Sequence, residues 1–170
     1  MAVHRRCDEQ SSLVGVKKTG ANPTDRGKKG VKRSLLTEAK GIPISVIIEG
    51  ANRNDFKLIR QTFDAIQIQR PVPMTGCGVC MDKGYDFPEV RQIAKEFGFT
   101  AHIRCRGEEA QKIKTEAGFR ARRWVVERTH SWMNRFRRIL VRWEKLPETY
   151  IAMLHLTCGI ITWRATGLPK

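Results

Sequence analysis

Residues 77–105 of this chain read CGVCMDKGYDFPEVRQIAKEFGFTAHIRC, and they decide the class of its fold. The run CGVCM is short and apolar, which is typical of a buried strand. The run DFPEVRQIAKEFG predicts a helix that is capped by Asp86, has Pro88 in its first turn and stops at Gly98. The run FTAHIRC predicts another strand. A strand, a helix and a strand in succession indicate an α/β fold.

Two strands and a helix are predicted upstream of this unit. Residues 31–37 and 42–48 are rich in valine and isoleucine, and the turn sequence EAKG between them predicts a hairpin. The second run, IPISVII, is nearly all apolar, as in a strand covered on both faces. Residues 54–66 carry apolar side chains at helical spacing. Residues 15–33 are basic and rich in glycine, which predicts a loop.

Two more helices are predicted downstream, a long one over residues 121–139 and a last apolar one over residues 148–163. Together with the upstream elements they predict a mixed sheet flanked by helices. We expect one domain over residues 1–170. Its parts are a basic loop region (1–33), the sheet and its helices (31–105), and the two C-terminal helices (121–164).

Positive charge dominates the composition. The chain has 32 Lys and Arg against 17 Asp and Glu, a net charge of +15 and a pI of about 10.2. The charge is clustered, with nine basic and two acidic residues between positions 120 and 145. Such clustering predicts a polyanionic partner, above all nucleic acid. The five cysteines form an odd set in a chain with no secretory signal, which argues against a disulfide framework. No apolar run reaches the roughly 18 residues of a membrane span, so we expect a cytoplasmic protein, associated with the nucleoid when bound to DNA.

Two acidic residues stand at positions that suit metal binding. Asp82 follows a predicted strand directly, and α/β sheets bind ligands at the carboxyl ends of their strands. Glu127 lies off the apolar stripe of the long helix, with Arg123 one turn before it to hold its carboxylate. Each acid also has a plain interpretation, a turn cap for Asp82 and an ion pair for Glu127. Two carboxylates from separate elements suit Mg²⁺ (or Mn²⁺) and phosphodiester chemistry.

Basic and aromatic side chains are expected to contact DNA. Trp124 is a candidate to stack on a flipped or frayed base. The residues expected to bind the backbone are Arg26, Lys28, Lys29, Lys32, Lys83, Arg122, Arg128, His130 and Arg135.

Four segments of the chain resemble the catalytic domain of bacterial insertion-sequence DDE transposases. They are KKTGANPTDRGKKGVKR, VCMDKGYD, RWVVERTHSWMNRFRRI and LHLTCGIITWR. The resemblance implies a ribonuclease H-like fold and an Asp-Asp-Glu triad that uses magnesium to cut transposon ends and join them to target DNA. By motif match, Asp82 is the second acid and Glu127 the third. Arg123 matches the arginine of the Tyr-x2-Arg-x3-Glu-x6-Lys signature, whereas Arg120 and Asn134 depart from its tyrosine and lysine.

The first acid of the triad has no match. In the family it lies on the first strand in an Asp-Gly-Thr/Ser context, whereas Asp8 stands in a polar stretch that reads as a loop. We therefore expect an incomplete first strand and a chain that is inactive alone, its N-terminal portion lost or supplied by a longer or fused product. The expected partners are transposon-end and target DNA, and a second copy or a full-length transposase.

Two alternatives remain open. Cys77, Cys80, His102 and Cys105 form a CxxC…HxxC pattern, which could bind zinc in a nucleic-acid-binding ribbon. Against this, residues three apart in a strand face opposite sides. The other alternative is a DNA-binding remnant of a transposase that no longer cuts.

Overall fold

The protein forms a mixed sheet flanked by helices, as the sequence predicts. The structure is a computed structural model that describes residues 2–8 (backbone only), 17–23, 26–69, 76–103, 115 and 124–167. Its strands are β1 (Ala2–Asp8), β2 (Gly20–Ala21), β3 (Lys29–Thr37), β4 (Pro43–Gly50), β5 (Cys77–Met81) and β6 (Phe99–Ile103). Its helices are α1 (Ile59–Asp64), α2 (Pro88–Glu96), α3 (Trp124–Met133), α4 (Arg137–Leu140) and α5 (Pro147–Ala165), with 3-10 turns at Asp55–Leu58 and Lys83–Tyr85.

The main strands lie in the order β4-β3-β1-β5-β6, and β2 pairs with the start of β3. Strand β3 is antiparallel to both β1 and β4, whereas β1, β5 and β6 are mutually parallel. Strand β1, which was expected to be incomplete, is seven residues long and pairs with both β3 and β5. Asp8 is the last residue of β1, in register with Val31, rather than part of a loop.

Two hydrophobic cores cover the two faces of the sheet. Strand β3 serves both, because successive side chains of a strand point to opposite faces. Leu35 packs with β4 and with α3, α4 and α5, and Leu36 packs with α1, α2 and β5. Strand β3 is therefore covered on both faces.

Several predicted boundaries differ from the structure, and three of the differences concern charged residues or a broken helix. The basic loop over residues 15–33 is wrong at its end, because β3 begins at Lys29 and its charged residues are buried from position 32 onward. Phe87, not Asp86, caps α2, and the Asp86 carboxylate pairs with Arg91 at 2.7 Å. The long helix is broken after Met133, and α4 begins four residues later.

Arg33 explains the break in the long helix. Its side chain is fully buried, with an exposed fraction of 0%. Nε donates to the Tyr150 hydroxyl (3.1 Å), one terminal nitrogen donates to Asn134 Oδ1 (3.1 Å), and the other donates to the Ile139 carbonyl (2.6 Å). The Tyr150 hydroxyl in turn donates to the Ile139 carbonyl at 3.2 Å, and burial raises the pKa of this hydroxyl. One guanidinium therefore joins β3 to the segment between α3 and α4, to α4 and to α5.

Replacement of Arg33 by methionine is expected to lower the free energy of unfolding by about 2–4 kcal/mol, because the change removes the donor to Asn134 Oδ1 and to the Tyr150 hydroxyl, whereas the Ile139 carbonyl keeps the donor from Tyr150. Urea denaturation followed by circular dichroism measures the loss. Arg53→Met is the matched control, since Arg53 is exposed, and it should cost less than about 0.5 kcal/mol. Equal losses in the two variants would contradict the role given to Arg33.

Candidate functional site

Asp82 lies at the carboxyl end of β5 and is half-buried. Its backbone is still extended (φ −72°, ψ 160°), so the alternation of the strand continues through it. Cys80 packs against the core under α3, α4 and α5, and Met81 packs against the opposite core. Asp82 therefore returns to the face of the sheet that α3 covers. Its carbonyl accepts a hydrogen bond from the Tyr85 N–H at 2.9 Å, which fixes the turn behind it.

Glu127 lies in the first turn of α3 and is exposed. The neighbouring Val126 and the following Thr129 are fully buried, so the helix presents its carboxylate away from the core. Helix α3 packs against β1 and β3. A carboxylate in a first turn is also favoured by the positive end of the helix dipole. The two predicted acids thus come from separate elements to the same side of the sheet.

The β3–β4 hairpin holds the middle of α3. Thr129 Oγ1 donates to the Gly41 carbonyl at 2.7 Å, and the Arg128 guanidinium donates to the Lys40 carbonyl at 2.5 Å. Gly41 has φ +86°, and a Cβ there would lie 2.9 Å from Thr129 Oγ1. Both the backbone conformation and the close approach therefore require glycine. These contacts fix the distance from the sheet at which α3 holds Glu127.

Arg128 is clamped rather than free to reach DNA. Its guanidinium lies 4.4 Å from the centre of the Trp124 ring and 4.8 Å from that of Trp132. Such cation–π contacts, with the bond to the hairpin, hold the side chain in place. The Trp124 ring, which sequence analysis assigned to base stacking, therefore packs against Arg128. Trp132 is half-buried.

Two residues of the predicted DNA-binding set lie in the interior. Lys32 is 2% exposed, forms a 3.0 Å ion pair with Asp55 and donates to the Arg53 carbonyl. His130 is 1% exposed. The interpretation of both as phosphate contacts is corrected, because the sheet and α3 bury them. Arg122 and Arg123 lie outside the described residues. The exposed members are Arg26, Lys28, Lys29, Lys83 and Arg135.

A tight turn presents the first basic group. The Asn22 N–H donates to the Lys28 carbonyl at 2.8 Å, and the Gly27 N–H donates to the Asn22 carbonyl at 3.1 Å. Arg26 and Gly27 both have positive φ (48° and 73°) in this turn. The exposed side chains of Arg26 and Lys28 therefore project from one closed turn, and that of Lys29 projects from the first residue of β3 beside it.

The cysteines do not form a zinc ribbon within the described residues. Cys77 packs against the core under α1 and α2, and Cys80 packs against the opposite core, so they face opposite sides of β5. No three histidine, cysteine or acidic side chains of the described ranges come together in a way that could hold one metal ion. Cys105 lies outside those ranges. Cys158 packs against the core under α3, α4 and α5, and burial raises the pKa of its thiol to about 12.

The chain belongs to the transposase DDE domain family, whose profile it matches over residues 4–161. It is also 37% identical to the putative transposase for insertion sequence element IS402 of Burkholderia cepacia. That alignment covers 94% of this chain and 75% of the relative. Both comparisons confirm the resemblance that the sequence motifs indicate. In the described parts of the chain, no helix is long and apolar enough to cross a membrane.

Lys29 and Lys32 provide a test of which lysines face DNA. Lys32→Met is expected to lower the free energy of unfolding by about 3–5 kcal/mol, because it leaves Asp55 without its buried cation. Lys29→Met should leave stability within about 0.5 kcal/mol. It should also lower the slope of log affinity against log salt by about one unit, because Lys29 is exposed.

Urea denaturation and fluorescence anisotropy with duplex DNA at several salt concentrations measure these two quantities. If Lys32→Met lowered the salt slope and left stability unchanged, the assignment of Lys32 to the interior would be wrong.

Proposed function

We propose that this chain is the catalytic domain of an insertion-element transposase. It would cut DNA strands at terminal inverted repeats and transfer them to target DNA with the help of divalent metal ions. The observation that carries the proposal is the arrival of Asp82 and Glu127 on one side of the sheet, from the end of β5 and the first turn of α3. The ribonuclease H-like fold implied by the resemblance is part of the proposal. The antiparallel β4, β3 and β1 beside the parallel β5 and β6 support it.

The two acids fit a magnesium or manganese site. Carboxylate oxygens are the ligands that these ions prefer, and one or two carboxylates suffice when substrate phosphates supply further ligands. Asp82 and Glu127 would hold the metal, which when bound activates the attacking oxygen and neutralises charge on the phosphate. Lys83, exposed beside Asp82, and the basic turn at Arg26 would hold the DNA backbone. Arg123 remains predicted to orient Glu127.

The register of β1 indicates where a third acid would stand. Val3 pairs with Met81, so one step along both strands brings position 4 level with Asp82. The chain has His4 at that position. Asp8 lies four positions further on, about 13 Å along the strand, which is too far to share an ion with Asp82. We therefore infer that this chain supplies two of three carboxylates and acts with a longer or fused product or a full-length partner.

His4→Asp should complete the site. We expect the variant to bind Mn²⁺ at least tenfold more tightly than the wild type in calorimetric titration, because a third carboxylate adds a hard oxygen ligand. Asp82→Asn or Glu127→Gln in the His4→Asp background should remove the gain. The control substitutions are Asp86→Asn and Glu148→Gln, which neutralise exposed acids outside the site. A gain that survives Asp82→Asn would refute the proposed pair.

A non-cutting DNA-binding protein is the second candidate, and the same register supports it, since His4 stands where an acid is needed. Incubation of terminal-repeat DNA with Mg²⁺ separates the two functions. Cleavage by the His4→Asp variant, or by the wild type mixed with a full-length relative, supports a split or incomplete enzyme. Intact DNA binding with no cleavage under either condition supports the remnant.

A further inference from the structure

A cavity of about 300 Å³ lies between the C-terminal parts of α3 and α5. Helix α5 contributes three residues at helical spacing, so that one of its faces lines the cavity, and the other three come from the end of α3 and the turn that follows it. The residues that line it are Trp132, Arg135, Phe136, Ile161, Arg164 and Ala165. None of them was assigned to a common site by the sequence, because the two segments lie some 25 residues apart in the chain.

The apolar part of the cavity is rigid. Ile161 is buried in the core and Phe136 packs against the same core, so they form a fixed floor. Trp132 forms a wall, and the Arg128 guanidinium holds its ring at 4.8 Å. Arg128 is itself bonded to the Lys40 carbonyl of the hairpin. A ligand that stacks on Trp132 would therefore meet a surface that is already in place, which lowers the entropic cost of binding.

The polar part of the cavity is purely positive. Arg135 and Arg164 are both exposed, and no acidic residue lines the cavity with them. Within the described ranges, no ion pair to a carboxylate neutralises either guanidinium. Two arginines beside aromatic and aliphatic walls complement a ligand that has a flat apolar ring and an anionic group.

We propose that this cavity binds one unstacked nucleotide of a DNA strand, with its base against Trp132 and Phe136 and its phosphate between Arg135 and Arg164. This inference rests on the proposed action on DNA. A base pair within a duplex has both faces covered by its neighbours, so only a flipped, frayed or single-stranded nucleotide can enter. Trp132 follows Glu127 by five residues, a rise of about 7.5 Å along α3. Trp132 also lies about 140° around the helix axis from Glu127, so the cavity opens on a different face of α3 and would take a part of the strand that continues past the two acids.

The test uses two DNA probes without metal, in the presence of EDTA. One is a blunt duplex, and the other carries a short single-stranded 3′ extension containing 2-aminopurine, whose fluorescence falls when it stacks. The double variant Arg135→Ala/Arg164→Ala should lose about tenfold in affinity for the extended DNA and no more than about twofold for the blunt duplex. Trp132→Leu should abolish the quenching, and Trp132→Phe should restore it.

The matched control is Arg53→Ala/Arg137→Ala, which removes the same charge from exposed sites outside the cavity. Equal loss of affinity for the two probes, or the same selective loss in the control, would overturn the proposal.

Photocrosslinking of an iodinated extension to the wild-type chain tests the proposal without a variant. The crosslink should fall on Trp132 or Phe136, and a crosslink elsewhere would also refute the proposal. Glu127→Gln should leave the quenching unchanged, so the quenching distinguishes a variant that has lost the metal site from one that has lost the cavity. Failure to bind either DNA would overturn both proposals.

Discussion

The buried guanidinium of Arg33 is the interaction on which the rest of this structure depends. Removing a cation from water is costly, and only a full set of well-placed acceptors offsets that cost. Here the guanidinium nitrogens donate hydrogen bonds to Asn134, Ile139 and Tyr150, which lie on three different segments. Because every acceptor comes from a segment that is distant in sequence, the charge cannot be satisfied unless the C-terminal helices close over β3 in one register.

The candidate site depends on that closure. Helix α3 is held at its middle by the bond from Thr129 to Gly41, and Asn134, just beyond its C-terminal end, is held by the bond from Arg33. These two attachments limit sliding and rotation of α3 over the sheet, so the position of Glu127 relative to the end of β5 is set by packing. Asp82 is set in the same way, since burial of Cys80 and Met81 on opposite faces determines the side on which the next residue emerges. Catalytic groups on rigid elements keep their geometry better than groups on loops.

Much of this arrangement could be predicted from local patterns. The run CGVCM is β5, its bounds are as predicted, and the apolar runs around the EAKG turn form the β3–β4 hairpin. Prediction failed where a distant contact outweighed local propensity. Lys32 was expected to contact DNA, and no local pattern indicated that Arg33 would be buried, yet partners on α5, on the loop after α3 and at Asp55 bury them. The hydrogen bond that holds Arg128 could not be predicted either, because the Lys40 carbonyl lies 88 residues away in the chain.

The buried charge of Arg33 also explains why position 134 is asparagine, which departs from the family signature. The family signature has a lysine there, but Asn134 accepts a hydrogen bond from Arg33. A lysine would remove this acceptor and bring a second cation towards the buried guanidinium, where low polarity strengthens repulsion between like charges. An amide therefore suits a chain that has arginine at position 33. The next residue, Arg135, is exposed and lines the cavity with Arg164. Arg135 thus keeps a positive charge at this end of α3, one residue after position 134. There it can contact a phosphate without repelling the guanidinium of Arg33.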